Sequence, residues 1–104
     1  MNENLVLAVA NAYQQKYFLN PVYSKLPEEI KKKIQILAVQ FVEEVGGMLE
    51  LSFDEEGSLQ LKVHVAEHDF SFDEIGAELL IKRLQAEEEE LFTQLEMYFM
   101  GMNL

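Results

Sequence analysis

The chain has 104 residues and no cysteine, and 49% of its residues are hydrophobic; this suits one folded domain and excludes disorder, a disulfide framework and thiolate chemistry. The net charge is −11, because residues 1–47 hold five acids and five bases whereas residues 48–104 hold fourteen acids against Lys62, Lys82 and Arg83. Such a surface repels nucleic-acid phosphates and anionic lipids, so we expect neither a nucleic-acid nor a membrane partner.

The amino-terminal segment predicts a helix from about Glu3 to Leu19. Its apolar residues recur at helical spacing, and Asn20-Pro21 ends the pattern because the residue before proline is pushed out of the helical region. The apolar run Leu5 to Ala10 is too short for a signal peptide, and no lysine or arginine precedes it. We therefore expect a cytoplasmic protein.

A second helix is predicted from about Pro27 to Val45. Proline suits the first helical turn, where its missing N–H group costs nothing. Gly46-Gly47 is expected to end the helix, since glycine accepts the left-handed conformation of a C-cap. The segment carries the most regular amphipathic stripe in the chain, made of Ile30, Ile34, Leu37, Ala38, Phe41 and Val45.

A β-hairpin is predicted over roughly Met48 to Val65. The turn at 54–57 ends in a glycine suited to a G1 bulge, and this turn sets the register. The register places Phe53 opposite Leu59, Leu51 opposite Leu61, Leu49 opposite Val63 and Glu50 opposite Lys62. One face of the hairpin is then wholly apolar, so it should pack on the helices.

A third helix is predicted to begin near Phe72. Ser71 is the expected N-cap, with Glu74 completing a capping box and with Phe70 and Ile75 forming a hydrophobic staple. Without a break, this helix would run to Gly101 and be about 45 Å long, which exceeds the width of about 34 Å expected for a compact domain of this size. We therefore expect either a break near Ala86–Glu90 or a projecting end that needs a partner.

These elements predict a single α+β domain over residues 1–104 in the order α-α-β-β-α, with an antiparallel β-hairpin packed on helices and a long C-terminal helix.

His64 to His68 reads H-x-x-E-H, which matches the zinc motif of one class of metalloproteases. That chemistry needs both histidines on one face of a helix. Here the motif follows an alternating strand, on which residues four apart are separated by about 13 Å. His64, Glu67 and His68 are thus weak metal candidates, and we expect no metal, no cofactor and no catalytic residues, because other enzyme signatures are missing.

The last segment leaves hardly any polar face, and a helix that is apolar all round must be covered on most sides. We predict a non-catalytic interaction protein that forms a homodimer through the third helix, and the open hairpin edges are a further candidate contact. Two alternatives are a small acidic chaperone or inhibitor that grips another protein through this Met-rich end, and a zinc-dependent enzyme. The predicted interface residues are Leu91, Phe92, Leu95, Tyr98, Phe99 and Met102.

Asn20-Pro21 after the first helix, Leu26-Pro27-Glu28-Glu29-Ile30 at the second and the acidic helix after the hairpin resemble the small uncharacterised families of Clostridia-type bacteria. That resemblance covers the whole chain and implies a bacterial cytoplasmic protein without a known activity. Type III secretion chaperones are similarly small, acidic and dimeric, but they have more strands than the two predicted here.

Overall fold

The computed structural model describes residues 5–102, which form a four-stranded antiparallel sheet and three α-helices. The elements in chain order are β1 (Val6–Asn11), β2 (Lys16–Leu19), a short 3-10 helix (Pro21–Tyr23), α1 (Glu28–Val45), β3 (Met48–Phe53), β4 (Leu59–His64), α2 (Glu74–Glu87) and α3 (Glu89–Gly101). The α+β class is confirmed, but the predicted order is wrong because two strands precede the first long helix.

The first predicted helix is instead the β1–β2 hairpin. Leu7, Ala8 and Ala10 of β1 are all fully buried, because β1 pairs with β2 on one side and with β3 on the other. A contiguous apolar run is typical of such a central strand. The predicted start of this helix at Glu3 lies outside the described residues.

The turn between β1 and β2 forms without glycine or proline. The Asn11 side chain accepts hydrogen bonds from the backbone N–H groups of Tyr13 and Gln14, at 2.9 and 3.2 Å. Gln15 takes the left-handed conformation, with φ 53°. An asparagine that bonds its own backbone two residues on replaces the usual turn residues here.

The strand order is β2-β1-β3-β4, and the register predicted for the second hairpin is confirmed. Phe53 pairs with Leu59, Leu51 with Leu61 and Leu49 with Val63, while Glu50 lies opposite Lys62. The turn itself is held by the backbone N–H of Asp54, which donates to Ser58 at 2.9 Å.

The core lies between one face of the sheet and the helices. Ala8 of β1 stands beside Leu51 of β3, and α1 packs on both strands. The small alanine side chains of β1 let the helix approach the centre of the sheet. On the opposite face, one row crosses all four strands with exposed or half-buried side chains: Phe18, Val9, Glu50 and Lys62.

The predicted second helix is confirmed as α1, with Pro27 as its N-cap residue and Gly46 at its C-cap with φ 87°. Its buried residues are Ile34, Leu37, Ala38, Phe41, Val42 and Val45, five of which belong to the predicted stripe. Amphipathic periodicity and the pair of stop glycines were therefore sufficient to place this element.

Of the two alternatives expected for the third helix, the structure has the break: Glu88 separates α2 from α3, with φ −109°. The expected N-cap is wrong: Asp73 caps α2 and accepts a hydrogen bond from the Gly76 N–H at 2.8 Å. Ser71 instead donates its hydroxyl to Asp69 at 2.7 Å. Within residues 5–102, no helix has the length and apolar character needed to cross a bilayer.

Candidate functional site

The six predicted interface residues all contribute to the chain's own core. Leu91, Phe92, Leu95 and Phe99 are buried, and Tyr98 and Met102 are partly buried against the same cluster. Shielding of this apolar segment therefore does not need a second molecule, which was the reason for assigning these residues to an interface.

Aromatic stacking holds the end of α3 in place. The Phe99 ring stacks on Phe53 of β3, with centroids 4.4 Å apart and planes 14° apart. Tyr23 lies against both Phe53 and Tyr98, at 5.8 and 6.3 Å. The 3-10 helix after β2 thus completes the cover over the apolar side of α3, and Met97 and Met100 remain outside it, each 68% exposed.

The H-x-x-E-H residues do not converge on one point. His64 ends β4 and its Nε2 lies 3.1 Å from the Glu50 carboxylate across the strand pair. His68 lies in the following loop with φ 68°, and its Nε2 lies 3.6 Å from Glu67. Across residues 5–102, no three histidine, aspartate or glutamate side chains are grouped as a metal ion would need.

The loop at 65–73 leads from β4 into α2 and is fixed to the rest of the fold by polar contacts. The Tyr13 hydroxyl donates to the Asp69 carboxylate at 2.6 Å and accepts from the Ala66 N–H at 2.9 Å. The bond to Asp69 raises the pKa of Tyr13. The same bond, together with the one from Ser71, lowers the pKa of Asp69. The loop is thereby tied to the β1–β2 turn.

A second, apolar contact anchors the end of this loop. The Phe72 ring lies over Gly47, which has φ 75°, so closely that a Cβ built there would be 3.0 Å from the ring and 3.1 Å from the His64 carbonyl oxygen. The Asp73 N–H donates to the Val45 carbonyl at 3.2 Å. A side chain at this position would strain the left-handed backbone and press against the Phe72 ring, which glycine avoids.

The anchored loop and the outer side of α2 present a set of apolar side chains to solvent. Phe70 is 91% exposed, Ile75 73% and Leu79 63%, and Val65 is also exposed. Ile75 and Leu79 are one helical turn apart and therefore share a face, while the buried residues Ala77 and Leu80 lie toward the core. We call the Ile75–Leu79 side of α2 the outer face.

Sequence reasoning missed the outer face because it assigned Ile75 to a hydrophobic staple with Phe70, whereas both side chains are exposed. A detectable signal was present: α2 has apolar residues on opposite sides, at Ile75 and Leu79 as well as at Ala77 and Leu80. A helix with a second apolar face has more apolar surface than its own domain covers.

A groove of about 610 Å³ runs between the end of β4 and α2. We call it the edge groove. Its lining residues are Val63, Val65, Asp69, Phe72, Glu74, Ala77, Glu78 and Ile81. Three carboxylates and no basic side chain contribute to it, so it combines an apolar floor with a negative potential.

The chain was compared with protein families, curated proteins and solved structures. No curated protein and no solved structure matches it. Residues 4–104 match a family of unknown function, DUF6145, over nearly the whole length. The protein therefore belongs to the DUF6145 family.

Proposed function

We propose that this protein is a non-catalytic interaction module that forms a homodimer, and that the outer face of α2 is the contact between the two copies. One observation carries the proposal: Ile75 and Leu79 stand side by side and mostly exposed on a regular helix, while the helix is fixed to its own core through the opposite side.

The charges along α2 favour a second copy as the occupant. Glu74 directly precedes Ile75, Glu78 directly precedes Leu79, and Lys82 follows three residues after Leu79. If a two-fold axis passes Leu79, the two α2 helices run antiparallel. At about 1.5 Å of rise per residue, Lys82 lies about 4.5 Å beyond the axis, between the levels of Glu74 and Glu78 of the second copy. A helix with this pattern is complementary to itself.

The exposed areas set the expected strength of the dimer. Burying a fully exposed leucine or isoleucine contributes about 1.5–3 kcal/mol. A dimer would bury four such side chains, Ile75 and Leu79 of each copy, and each is roughly two thirds exposed, so together they contribute about 4–8 kcal/mol. Association costs about 4–15 kcal/mol. At most about 4 kcal/mol of association free energy then remains, so we expect a weak dimer with a dissociation constant of about 1 mM or higher.

Sedimentation over protein concentrations that reach several times the expected dissociation constant of about 1 mM tests the proposal. The wild type should pass from monomer to dimer, and Leu79→Glu should shift that transition to higher concentration by tenfold or more, about 1.4 kcal/mol. Met97→Glu is the matched control, because Met97 of α3 is 68% exposed and Leu79 is 63% exposed. A wild type that stays monomeric throughout excludes the homodimer.

A charge swap tests the antiparallel arrangement. Glu78→Lys and Lys82→Glu should each weaken the dimer, because each places like charges together across the axis. The double variant should recover most of the wild-type affinity. If the two single effects simply add in the double variant, the helices do not meet in this register.

The alternative, a small acidic chaperone or inhibitor that binds through the C-terminal helix, is supported by the exposure of Met97 and Met100. Methionine side chains adapt to partners of varied shape. In the experiment above, loss of association with Met97→Glu and not with Leu79→Glu would favour α3 as the contact.

A further inference from the structure

The outer edge of β4 has backbone groups that point away from the sheet. β4 is the last strand in the order and pairs with β3 alone among the described residues. The Leu59 N–H donates to the Glu96 carboxylate at 2.7 Å, so it points away from β3. Backbone direction alternates along an antiparallel strand, and the N–H groups of Leu61 and Val63 therefore point the same way.

Within residues 5–102, no acceptor forms a hydrogen bond with the N–H groups of Leu61 and Val63, whereas Glu96 accepts one from Leu59. Leu61 and Val63 are half-buried side chains on the helix side of the sheet, and Val63 and Val65 form one wall of the edge groove. A strand laid along this edge would thus gain ladder hydrogen bonds on one side and place alternate side chains over the groove floor at Ala77 and Ile81.

The charges at the groove define the chemistry of the occupant. Asp69, Glu74 and Glu78 line it together with apolar residues and without a lysine or arginine. A second copy of β4 would bring the same three acids against their own equivalents, which opposes a symmetric edge-to-edge dimer. A segment with alternating basic and apolar residues satisfies both the negative rim and the apolar floor.

We propose that the β4 edge from Leu61 to Val65 binds an extended, lysine- or arginine-containing segment of a partner protein as a fifth strand of the sheet. The segment exchanges backbone hydrogen bonds with Leu61 and Val63 and places its basic side chains beside Asp69, Glu74 and Glu78. The strand edge itself does not include Ile75 and Leu79, but Glu74 and Glu78 belong both to the edge groove and to the proposed homodimer contact, so the two proposals are tested apart.

The opposite edge of the sheet supplies an internal control. The Asn20 N–H donates to the Leu7 carbonyl of β1 at 2.9 Å, so the N–H groups of Tyr17 and Leu19 point outward from β2. The groove beside them is lined by Glu28 and Glu29 but also by Lys31 and Lys32. The β2 edge therefore has outward N–H groups like those of β4, but the groove beside it has balanced charge.

Residue-resolved hydrogen exchange tests the proposal, with a short peptide of alternating lysine and valine as the probe and one of alternating glutamate and valine as its control. The lysine peptide should slow exchange at the amides of Leu61 and Val63 by about tenfold, because each amide trades water for a ladder bond. Added salt should reduce the effect. The amides of Tyr17 and Leu19, and that of Leu59, should not change.

Val63→Pro removes one outward donor without removing a ladder bond to β3, and should abolish the slowing at Leu61. Val63→Thr keeps the donor and should bind as the wild type does. Because the proline variant could unfold the strand, exchange at its Glu50 amide, which faces Lys62 of β4, is the measure of an intact β3–β4 ladder. Glu74→Gln, which leaves β4 untouched, should weaken lysine-peptide binding severalfold.

Equal slowing with the glutamate peptide, equal slowing at Tyr17 and Leu19, or no slowing at Leu61 and Val63 would each overturn the proposal. So would exchange at Leu61 and Val63 that slows with protein concentration alone, since the occupant would then be a second copy. Retention of lysine-peptide binding by Leu79→Glu separates this surface from the homodimer contact: if that variant is monomeric and still binds, only the dimer has been lost.

Discussion

Replacing Phe99 by alanine should destabilise the monomer strongly. Phe99 is 8% exposed and its ring stacks on Phe53 at 4.4 Å. Removing a buried phenylalanine side chain forfeits about 1.5–3 kcal/mol of transfer free energy, and the lost aromatic pair adds about 0.5–1.5 kcal/mol. The sum agrees with the cost of about 3–5 kcal/mol typical of phenylalanine-to-alanine changes in protein cores.

A loss of that size is a large part of the whole free energy of unfolding, about 5–15 kcal/mol for a domain of this length. The expected fall in the melting temperature is roughly 15–25 °C. Urea unfolding followed by far-ultraviolet circular dichroism measures the loss of free energy, and thermal unfolding measures the melting temperature. Met97→Ala is the control on the exposed side of the same helix. That control should cost less than about 0.5 kcal/mol.

The dependence of this stability loss on protein concentration shows whether the apolar end of α3 is covered by its own chain or by a second molecule. If Phe99 is covered by its own chain, the stability lost in Phe99→Ala is the same at low and at high protein concentration, because no association is involved. A loss below about 1 kcal/mol, or one that grows with protein concentration, would refute the packing of α3 in the core of the monomer.

Three further predictions concern local structure. Asp73→Ala should cost about 0.5–2 kcal/mol of stability through the lost cap of α2, whereas Ser71→Ala should stay within about 0.5 kcal/mol; equal losses in thermal unfolding would contradict the assignment of the cap. Gly47→Ala should destabilise by about 1–3 kcal/mol, since it combines a left-handed backbone with a clash against Phe72, and chemical denaturation measures this. Among residues 5–102 the buried Tyr17 hydroxyl has no hydrogen-bond partner, so Tyr17→Phe should raise stability by up to about 1 kcal/mol. Burial raises the pKa of Tyr17 to about 12. Below pH 10 the phenol is neutral both folded and unfolded, and above it the unfolded state ionises first, so wild-type stability should fall between pH 10 and about 12 and Tyr17→Phe should fall less; parallel pH profiles would contradict this.

The elements that followed from the sequence are those whose local signals agree with one another. In the β3–β4 hairpin, alternation and turn chemistry specified the same register, and Leu51 does pair with Leu61. In α1, periodicity agreed with the stop at Gly46. Length alone left two alternatives for the third helix, a break or a projecting end, because a straight helix would have been longer than the domain; the structure has the break, at Glu88.

The β1–β2 hairpin did not follow, because its signals conflicted. Alanines at 8, 10 and 12 favour a helix, and the turn has no glycine or proline. The pairing with β3 on one side and β2 on the other decided the outcome, since a central strand can be apolar on both faces. No local sequence pattern specifies such long-range pairing, which depends on the other strands of the sheet.

The candidate site was predicted least well. Composition correctly drew attention to apolar residues near the C-terminus, but hydrophobicity does not distinguish a side chain that packs inward from one left outside. Leu95 is buried and Leu79 is exposed, although both lie in helices after the second hairpin. The helix is interrupted at Glu88; beyond it α3 packs one side into the core, with Phe99 stacked on Phe53, whereas Ile75 and Leu79 of α2 remain exposed.

The contact between Glu96 and the Leu59 amide limits how far the sheet can grow. An incoming strand meets a carboxylate at the first outward position of β4, so only the stretch that follows is free to pair. Long, flat strand edges serve as templates on which chains stack into fibrils, and a stretch with two free outward residues is too short for that. One side chain of α3 thereby limits fibril-like stacking at the β4 edge of the sheet.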